Sequence, residues 1–160
     1  MNSVAGDPAS KMYAYDAGKR AIEDHFKRIG VKAKVEHTGL WGMYHVIYET
    51  PGNPLVSIII PNKDHTDDLD KCVKSIISKY KNIEFIIIEN NSTEDKTFAY
   101  YEKLQKEYEN VKVVKWEEGF NYSAINNYGV SFAKGEYLLF LNNDTEMITP
   151  TAINELLGCC

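Results

Sequence analysis

The pattern of apolar and polar residues changes near residue 50 and divides the chain into two parts. In the first part, apolar positions at helical spacing predict a helix from Lys11 to Ile29. Two short strands, Val31 to Val35 and Met43 to Tyr48, follow and are joined by a turn that contains Gly39 and Gly42. A helix and a hairpin are too small to enclose a full core, so residues 11–50 are interpreted as an appendage.

Two segments of unusual composition flank this appendage. Residues 1–10 are small and polar and are predicted to be a disordered leader. Residues 51–54 contain two prolines and a glycine and are predicted to be a linker. The remainder, residues 55–160, is expected to form one domain.

Strand and helix patterns alternate in this second part. The run from Leu55 to Ile60 is almost entirely apolar, as in a strand buried on both faces. One predicted helix is capped by Ser92 to Asp95 and directs Phe98, Tyr101, Leu104 and Tyr108 inward. The predicted strands are 55–60, 83–88, 111–114 and 137–141, and the other predicted helices are 67–80, 123–133 and 149–157. Such alternation with short connections predicts an α/β fold with a mainly parallel sheet covered by helices on both faces.

Composition and charge exclude several classes of protein. Hydrophobic residues make up 44% of the 160 residues and charged residues 26%, which is typical of a globular chain. The net charge is −5 and basic residues are spread along the chain, which argues against nucleic acid as a partner. No apolar run is long enough to span a bilayer, and the three cysteines lack metal-ligand spacing. We therefore expect a cytoplasmic protein.

Polar clusters follow three of the predicted strands: Pro61 to His65, Glu89 to Ser92, and Asn142 to Glu146. The carboxyl ends of parallel strands meet at one edge of a sheet, where ligands bind in open α/β folds. Each cluster contains a carboxylate, which favours a shared site. Polar residues are also common in turns after strands, so an ordinary structural role stays open.

The third cluster suggests metal chemistry. Asn142, Asp144 and Glu146 follow a buried strand at intervals of two residues. Hard oxygen ligands of this kind suit Mg²⁺ or Mn²⁺, which can in turn bridge a diphosphate. The signal depends on the position at the end of a strand, since an acidic pair alone is not specific.

Several ordered motifs resemble family-two glycosyltransferases of the GT-A fold. The resemblance runs from about Pro54 to the C-terminus, and four motifs occur in the order and spacing of the family. They are Leu55 to Pro61, Ile86 to Asp95, Gly119 to Tyr137 (with Asn126, Gly129, Ala133 and Gly135) and Leu141 to Glu146.

The resemblance implies a Rossmann-like domain that transfers a sugar from a nucleotide-sugar donor. Pro61 and the turn after it would line the nucleoside pocket, and Glu89 stands where the family has an aspartate that contacts the base. Asn126 lies in the segment that closes over the donor. Asp144 matches the second acid of the metal-binding Asp-x-Asp motif. The donor-binding set is Pro61, Asn62, Asp64, Glu89, Asn91, Ser92, Asn126, Asn142 and Asn143, and the metal set is Asp144 and Glu146.

The sequence departs from the family pattern at two positions. Asn142 replaces the first acid of the metal motif, and Glu146 either compensates for it or is a surface residue. Glu89 is one methylene longer than the usual aspartate, which could change the preferred base. Family members also continue well beyond the metal motif, and that part supplies the catalytic base. We therefore expect this chain to be the nucleotide-binding half of a larger transferase, with little activity alone and the catalytic base beyond residue 160.

The resemblance also implies a cellular role and partners. Members with a similar Asn-Asn-Asp-Thr-Glu segment often build cell-surface polysaccharides, including rhamnose-containing ones. The expected reaction is inverting and uses Mg²⁺ or Mn²⁺, a UDP-, dTDP- or GDP-linked donor, and a glycan or lipid-linked acceptor. It would take place in the cytoplasm at the inner face of the membrane, with peripheral association through segments beyond this chain.

Other classes explain the sequence less well, with one alternative left open. A non-catalytic module that binds a nucleotide sugar or a partner protein would account for Asn142. A phosphorylated receiver domain would need a different arrangement of acids, since the third predicted strand ends in Lys115-Trp116. A nucleotidyltransferase would need a glycine-rich, arginine-containing loop after the first strand, and this chain lacks one.

Overall fold

The computed structural model describes residues 12–50 and 52–160. The predicted leader, together with Lys11 and Pro51, lies outside the described residues. The described chain forms two compact units, residues 12–50 with Glu155–Cys160 and residues Gly52–Asn154. In neither unit is any described helix both long enough and apolar enough to cross a membrane.

The smaller unit contains the predicted helix and hairpin. Helix α1 spans Met12–Ile29, and strands β1 (Ala33–His37) and β2 (Tyr44–Tyr48) pair antiparallel. Tyr15 organises this unit because its ring stacks on His37 and its hydroxyl donates to the Met43 carbonyl at 2.6 Å. The same unit includes a side-chain hydrogen bond of 3.1 Å between His45 Nε2 and Glu155.

The larger unit is a four-stranded parallel sheet with helices around it. Its strands run in the spatial order β5-β4-β3-β6, and every pair is parallel. This confirms the predicted α/β class. The strands are β3 (Val56–Asn62), β4 (Ile83–Glu89), β5 (Val111–Lys115) and β6 (Tyr137–Phe140), and the helices are α2 (Thr66–Ile77), α3 (Asp95–Glu107) and α4 (Tyr122–Val130). A last helix, α5 (Ala152–Gly158), begins in this unit, and its residues from Glu155 onward belong to the smaller one.

The direction of the chain determines which helices share a face of this sheet. The crossovers through α2 and α3 both move from β3 toward β5, and right-handed connections then place both helices on one face. The connection through α4 returns past β4 and β3 to β6, so α4 covers the opposite face. Ile125 of α4 packs there in a buried cluster with Ile59, Ile88 and Val114. The order reverses between β3 and β6, which is the position where α/β sheets open a crevice for ligands.

Helix α4 ends earlier than the sequence pattern indicates. It stops at Val130, whereas the pattern extended to Ala133. The amides of Ser131, Phe132 and Ala133 bond to carbonyls three residues back, which is turn geometry rather than α-helix.

The prediction that Phe98 points inward is wrong. Phe98 is 44% exposed, whereas its neighbour Thr97 is fully buried. Thr97, Tyr101 and Leu104 lie three or four residues apart, so they form the inner stripe of α3. Phe98 lies beside this stripe and touches Tyr101 edge-on.

Candidate functional site

A cavity of about 570 Å³ opens where the loops after β3, β4 and β6 meet. The sequence predicted that these three polar clusters converge, and the structure brings them together. A fourth segment, between β5 and α4, adds two aromatic side chains. The lining residues are Pro61, Asn62, Lys63, His65, Asn90, Asn91, Phe120, Tyr122, Asn142, Asn143 and Asp144.

Six of the eleven residues predicted to bind donor or metal line this cavity, and five do not. Those that line it are Pro61, Asn62, Asn91, Asn142, Asn143 and Asp144. Those outside the lining are Asp64, Glu89, Ser92, Asn126 and Glu146. Contact with a bound ligand stays a prediction for both groups.

Asp144 is the acid that the cavity exposes to a ligand. It is the only lining residue with a carboxylate, and it follows the edge strand β6. Its loop is attached to helix α2 at two points, since the Cys72 thiol contacts the Asn142 carbonyl at 3.8 Å and Ser75 accepts from the Met147 amide at 3.0 Å. Burial, reinforced by the charge of Asp144, raises the pKa of the Cys72 thiol to about 11. That thiol therefore stays protonated beside the site.

Whether a divalent cation fits depends on this donor set. No three His, Cys, Asp or Glu side chains come together anywhere in residues 12–50 and 52–160. A cation enclosed by protein side chains is thus not supported. One carboxylate with amide oxygens suits a cation that keeps water and takes its remaining ligands from a diphosphate. Asp144 with Asn142 and Asn143 fits that second type.

Glu89 occupies the end of β4, but its carboxylate is directed into the protein. The residue is only 4% exposed, and the backbone amide and the hydroxyl of Ser92 both donate to it. The Tyr101 hydroxyl is a third donor, at 2.7 Å. A buried carboxylate with three donors is well satisfied and fixes the loop that follows it.

Asp64 caps helix α3 from another loop. We predicted that Ser92 to Asp95 would supply the cap, but the N-cap residue Glu94 makes no side-chain cap bond. The Asp64 carboxylate instead accepts from the amides of Thr93 and Glu94, each at 3.0 Å, and from the Thr97 hydroxyl at 3.2 Å. A cap from a distant part of the chain has no local sequence signature, which is why the pattern missed it.

Burial opposes ionisation of Asp64, but the hydrogen bonds from the Glu94 and Thr93 amides and from the Thr97 and Thr93 hydroxyls together lower its pKa. A lowered pKa stabilises the fold above the ordinary aspartate value near 4, and this stabilisation is lost as the pH falls through the folded-state value. We expect Asp64→Asn to lower the melting temperature by a few degrees at pH 7 and by much less at pH 3.

Thermal melts at both pH values, with Asp95→Asn as the control, test this expectation. Asp95 is an exposed carboxylate in the first turn of the same helix, so its replacement should change little. An equal loss for Asp64→Asn at pH 3 and pH 7 would mean that the charge of Asp64 does not stabilise the helix.

Three non-glycine residues with positive φ lie in the loops around the cavity. They are Asp64 at 54°, His65 at 48° and Asn91 at 57°. Such backbone costs energy and persists where surrounding contacts impose it, often at functional sites. Here Asp64 receives the bonds described above, and the Asn91 amide donates to the Glu118 carbonyl at 3.1 Å.

Asn126 is buried behind the cavity. It is 6% exposed, and its Nδ2 donates to the Tyr122 carbonyl one helical turn earlier, at 2.9 Å. Its Oδ1 is buried and has no hydrogen-bond partner in the described chain. Buried polar atoms are almost always paired, so this unpaired oxygen is an exception among the described residues.

Five lining residues are outside the predicted donor and metal sets: Lys63, His65, Asn90, Phe120 and Tyr122. The first three lie within the polar clusters that were predicted to share this site. Phe120 lies inside the Gly119 motif and is 74% exposed, although it is a large apolar residue. Phe120 lies in the short loop between Gly119 and the first residue of α4, Tyr122. An aromatic residue in such a loop is a sequence signal for a ring exposed beside the site. His65 is exposed and belongs to the cavity lining.

Comparisons with known proteins agree with this geometry. An O-antigen biosynthesis protein, RfbC, from Myxococcus xanthus is 40% identical over 149 residues, which cover 91% of this chain and 11% of that protein. A glucosyltransferase from Escherichia coli, named UDP-Glc:alpha-D-GlcNAc-diphosphoundecaprenol beta-1,3-glucosyltransferase WfaP, is 32% identical over 64% of this chain and 40% of its own length. The chain thus spans less than half the length of both relatives.

A solved structure shares the fold. The mannosyltransferase PcManGT from Pyrobaculum calidifontis, determined with GDP-Man and Mn²⁺, matches 94% of this chain and 42% of its own with a TM-score of 0.61. Its sequence identity of 14% makes this a likeness of fold alone, and that fold is the expected GT-A type. The profile of the family described as glycosyl transferase family 2 matches residues 57–158. The chain belongs to glycosyl transferase family 2.

Proposed function

We propose that the cavity binds the nucleotide-sugar donor of a metal-dependent, inverting glycosyl transfer in cell-surface polysaccharide synthesis. The observation that carries this proposal is the position of Asp144, a single exposed carboxylate at the switch point of the sheet among neutral amides. Names of relatives support the substrate class, since WfaP is named for a UDP-glucose donor and a diphosphoundecaprenol-linked acceptor. The resemblance of the Asn-Asn-Asp-Thr-Glu segment also makes a rhamnose-containing product one of the predictions.

The lining residues suit the parts of such a donor. Lys63 supplies a positive charge for a diphosphate, and Phe120 and Tyr122 offer aromatic surfaces for a base or a sugar ring. Asp144, with the amides of Asn142 and Asn143, would hold a divalent cation together with the diphosphate. A bound cation would stabilise the charge that develops on the departing nucleoside diphosphate.

The transfer itself needs a carboxylate base near the acceptor hydroxyl. Asp64 and Glu89 do not serve as this base in the proposal, because internal donors occupy both carboxylates. Asp144 is assigned to the cation. We propose that this chain binds and orients the donor and that the base comes from another part of the full transferase.

Calorimetric titration with UDP, dTDP and GDP, each with and without Mn²⁺, tests the proposal. We expect one nucleoside diphosphate to bind, and to bind more tightly with Mn²⁺. The matching nucleoside monophosphates are the controls, because without the second phosphate the effect of Mn²⁺ should largely disappear. The proposed donor site would be contradicted if none of the three diphosphates binds, or if the affinity is the same with and without Mn²⁺.

A further inference from the structure

A chain of buried side-chain hydrogen bonds joins the three loops of the cavity. Asn143, in the loop after β6, donates to Asn62 Oδ1 at 2.7 Å. Asn62, at the end of β3, donates to the Tyr101 hydroxyl at 2.7 Å, and Tyr101 donates to Glu89 at the end of β4 at 2.7 Å. Glu89 in turn accepts from Ser92. The loops that carry Asp144 and Asn91 are therefore linked through the interior.

Tyr101 is the member of this hydrogen-bond chain that lies on a helix. It lies on α3, is 4% exposed, and does not line the cavity. Asn62 and Glu89 are equally shielded, at 2% and 4% exposed. Burial raises the pKa of the Tyr101 hydroxyl, and the charge of Glu89 raises it further. The hydroxyl therefore keeps its proton and donates a hydrogen bond to Glu89.

The Tyr101 hydroxyl and the Asp64 carbonyl together orient the Asn62 amide. Because the hydroxyl proton points to Glu89, its oxygen accepts from Asn62 Nδ2 at 2.7 Å, and the same Nδ2 also donates to the Asp64 carbonyl at 2.8 Å. The Asn62 Oδ1 then faces Asn143 and accepts from it. Buried networks of this kind hold their members in one arrangement only while every donor and acceptor is paired.

We propose that Tyr101 is a positioning residue that fixes the Asp144 loop relative to the nucleotide loop after β4, acting through Asn62 and Asn143. The inference rests on the proposed donor site and deepens it. It holds that a side chain outside the cavity lining controls how the loops that bind the metal and the diphosphate are placed. Loss of the hydroxyl would leave Asn62 Nδ2 with the Asp64 carbonyl but without its partner on α3, so the amide would be held less firmly and would hold Asn143 less firmly.

Tyr101→Phe tests this inference, and Tyr100→Phe is its matched control. Tyr100 is the preceding residue, is half-buried, and donates its hydroxyl to the Asp70 carboxylate at 3.2 Å, away from the cavity lining. Both variants remove one hydroxyl that is bonded to a carboxylate. We expect Tyr101→Phe to weaken Mn²⁺-dependent nucleotide binding about fivefold, the effect of one buried hydrogen bond, and Tyr100→Phe to leave it unchanged.

A second readout needs no ligand. In ¹⁵N NMR spectra the side-chain amide signals of Asn143 should shift in Tyr101→Phe and stay in place in Tyr100→Phe. If Tyr101→Phe does not fold, Asn143→Ser interrupts the same chain from its half-buried end, and the backbone amide signal of Ser92 should then shift. An unmoved signal in the variant that folds would overturn the linkage.

The outcomes separate the inference from the proposed function. If the wild-type chain binds a nucleotide with Mn²⁺ and Tyr101→Phe binds it equally well, the inference is wrong and the donor site stands. If the wild-type chain binds none of the nucleotides, the donor site is wrong and the inference fails with it. Equal weakening by Tyr101→Phe and Tyr100→Phe would indicate a general loss of stability and would also overturn it.

Discussion

Replacement of Asp144 by asparagine is expected to remove the Mn²⁺-dependent part of nucleotide binding while the fold stays intact. Asp144 is exposed and is the only carboxylate in the cavity lining, so no neighbouring acid in the lining can replace it. Loss of residues that merely support a metal ligand costs roughly 10- to 100-fold in affinity, and loss of the ligand itself should cost at least about tenfold. Calorimetry with the nucleotide that binds best, with and without Mn²⁺, measures the effect.

Glu136→Gln is the matched control for this change. Glu136 is an exposed acid that directly precedes β6, so it lies at the opposite end of the strand that leads to Asp144. Its replacement removes the same charge and should leave nucleotide binding unchanged. If Asp144→Asn retains the full effect of Mn²⁺, the metal assignment is wrong.

Two further variants address the departures from the family pattern. Asn142→Asp restores the usual first acid beside Asp144 and should strengthen Mn²⁺-dependent binding. Glu146 is exposed and does not line the cavity, so its two interpretations differ in outcome. A weaker effect of Mn²⁺ in Glu146→Gln would assign Glu146 to the metal, and no change would make it a surface residue.

The architecture followed from the sequence because the signals that determine it are local. The apolar run from Leu55 to Ile60 predicts a strand buried on both faces, and Ile58, Ile59 and Ile60 are indeed fully buried. Alternation of such runs with amphipathic segments predicts a parallel sheet, and convergence of the strand ends then follows from geometry. The family resemblance rests on motifs within the same strands and loops.

The direction of individual side chains could not be predicted in the same way. Asp64, Glu89 and Asp144 look alike in sequence, as acids that follow strands. Their different roles depend on partners far along the chain: Asp64 meets the start of α3 about 30 residues later, and Glu89 meets Tyr101. Only Asp144 meets no such donor and faces the cavity. Long-range pairing of this kind decides which acid is available to a ligand.

Gly135→Ala is expected to be the most damaging of the small substitutions in the larger unit. A Cβ at Gly135 would lie 2.7 Å from the Leu55 carbonyl oxygen and 2.7 Å from both the amide nitrogen and the Oγ of Ser57. Two of these three atoms belong to the backbone at the start of β3, which cannot move without disturbing the central strand. Overpacking of this kind costs about 1–3 kcal/mol, and we expect the upper end of that range.

Gly129 and Gly119 serve as comparisons for Gly135, because an added Cβ would meet different atoms at each of them. A Cβ at Gly129 would meet Ile88 Cδ1 at 2.6 Å and Ile59 Cγ2 at 2.7 Å, which are side-chain and not backbone atoms, and alanine would gain roughly 1 kcal/mol of helix propensity. A Cβ at Gly119 would meet nothing within 4 Å.

Urea denaturation should therefore rank the losses in free energy of unfolding as Gly135→Ala, then Gly129→Ala, then Gly119→Ala near zero. A Gly135→Ala variant as stable as Gly119→Ala would mean that the connection before β6 does not pack against β3, and the sheet edge that leads to Asp144 would then be placed differently.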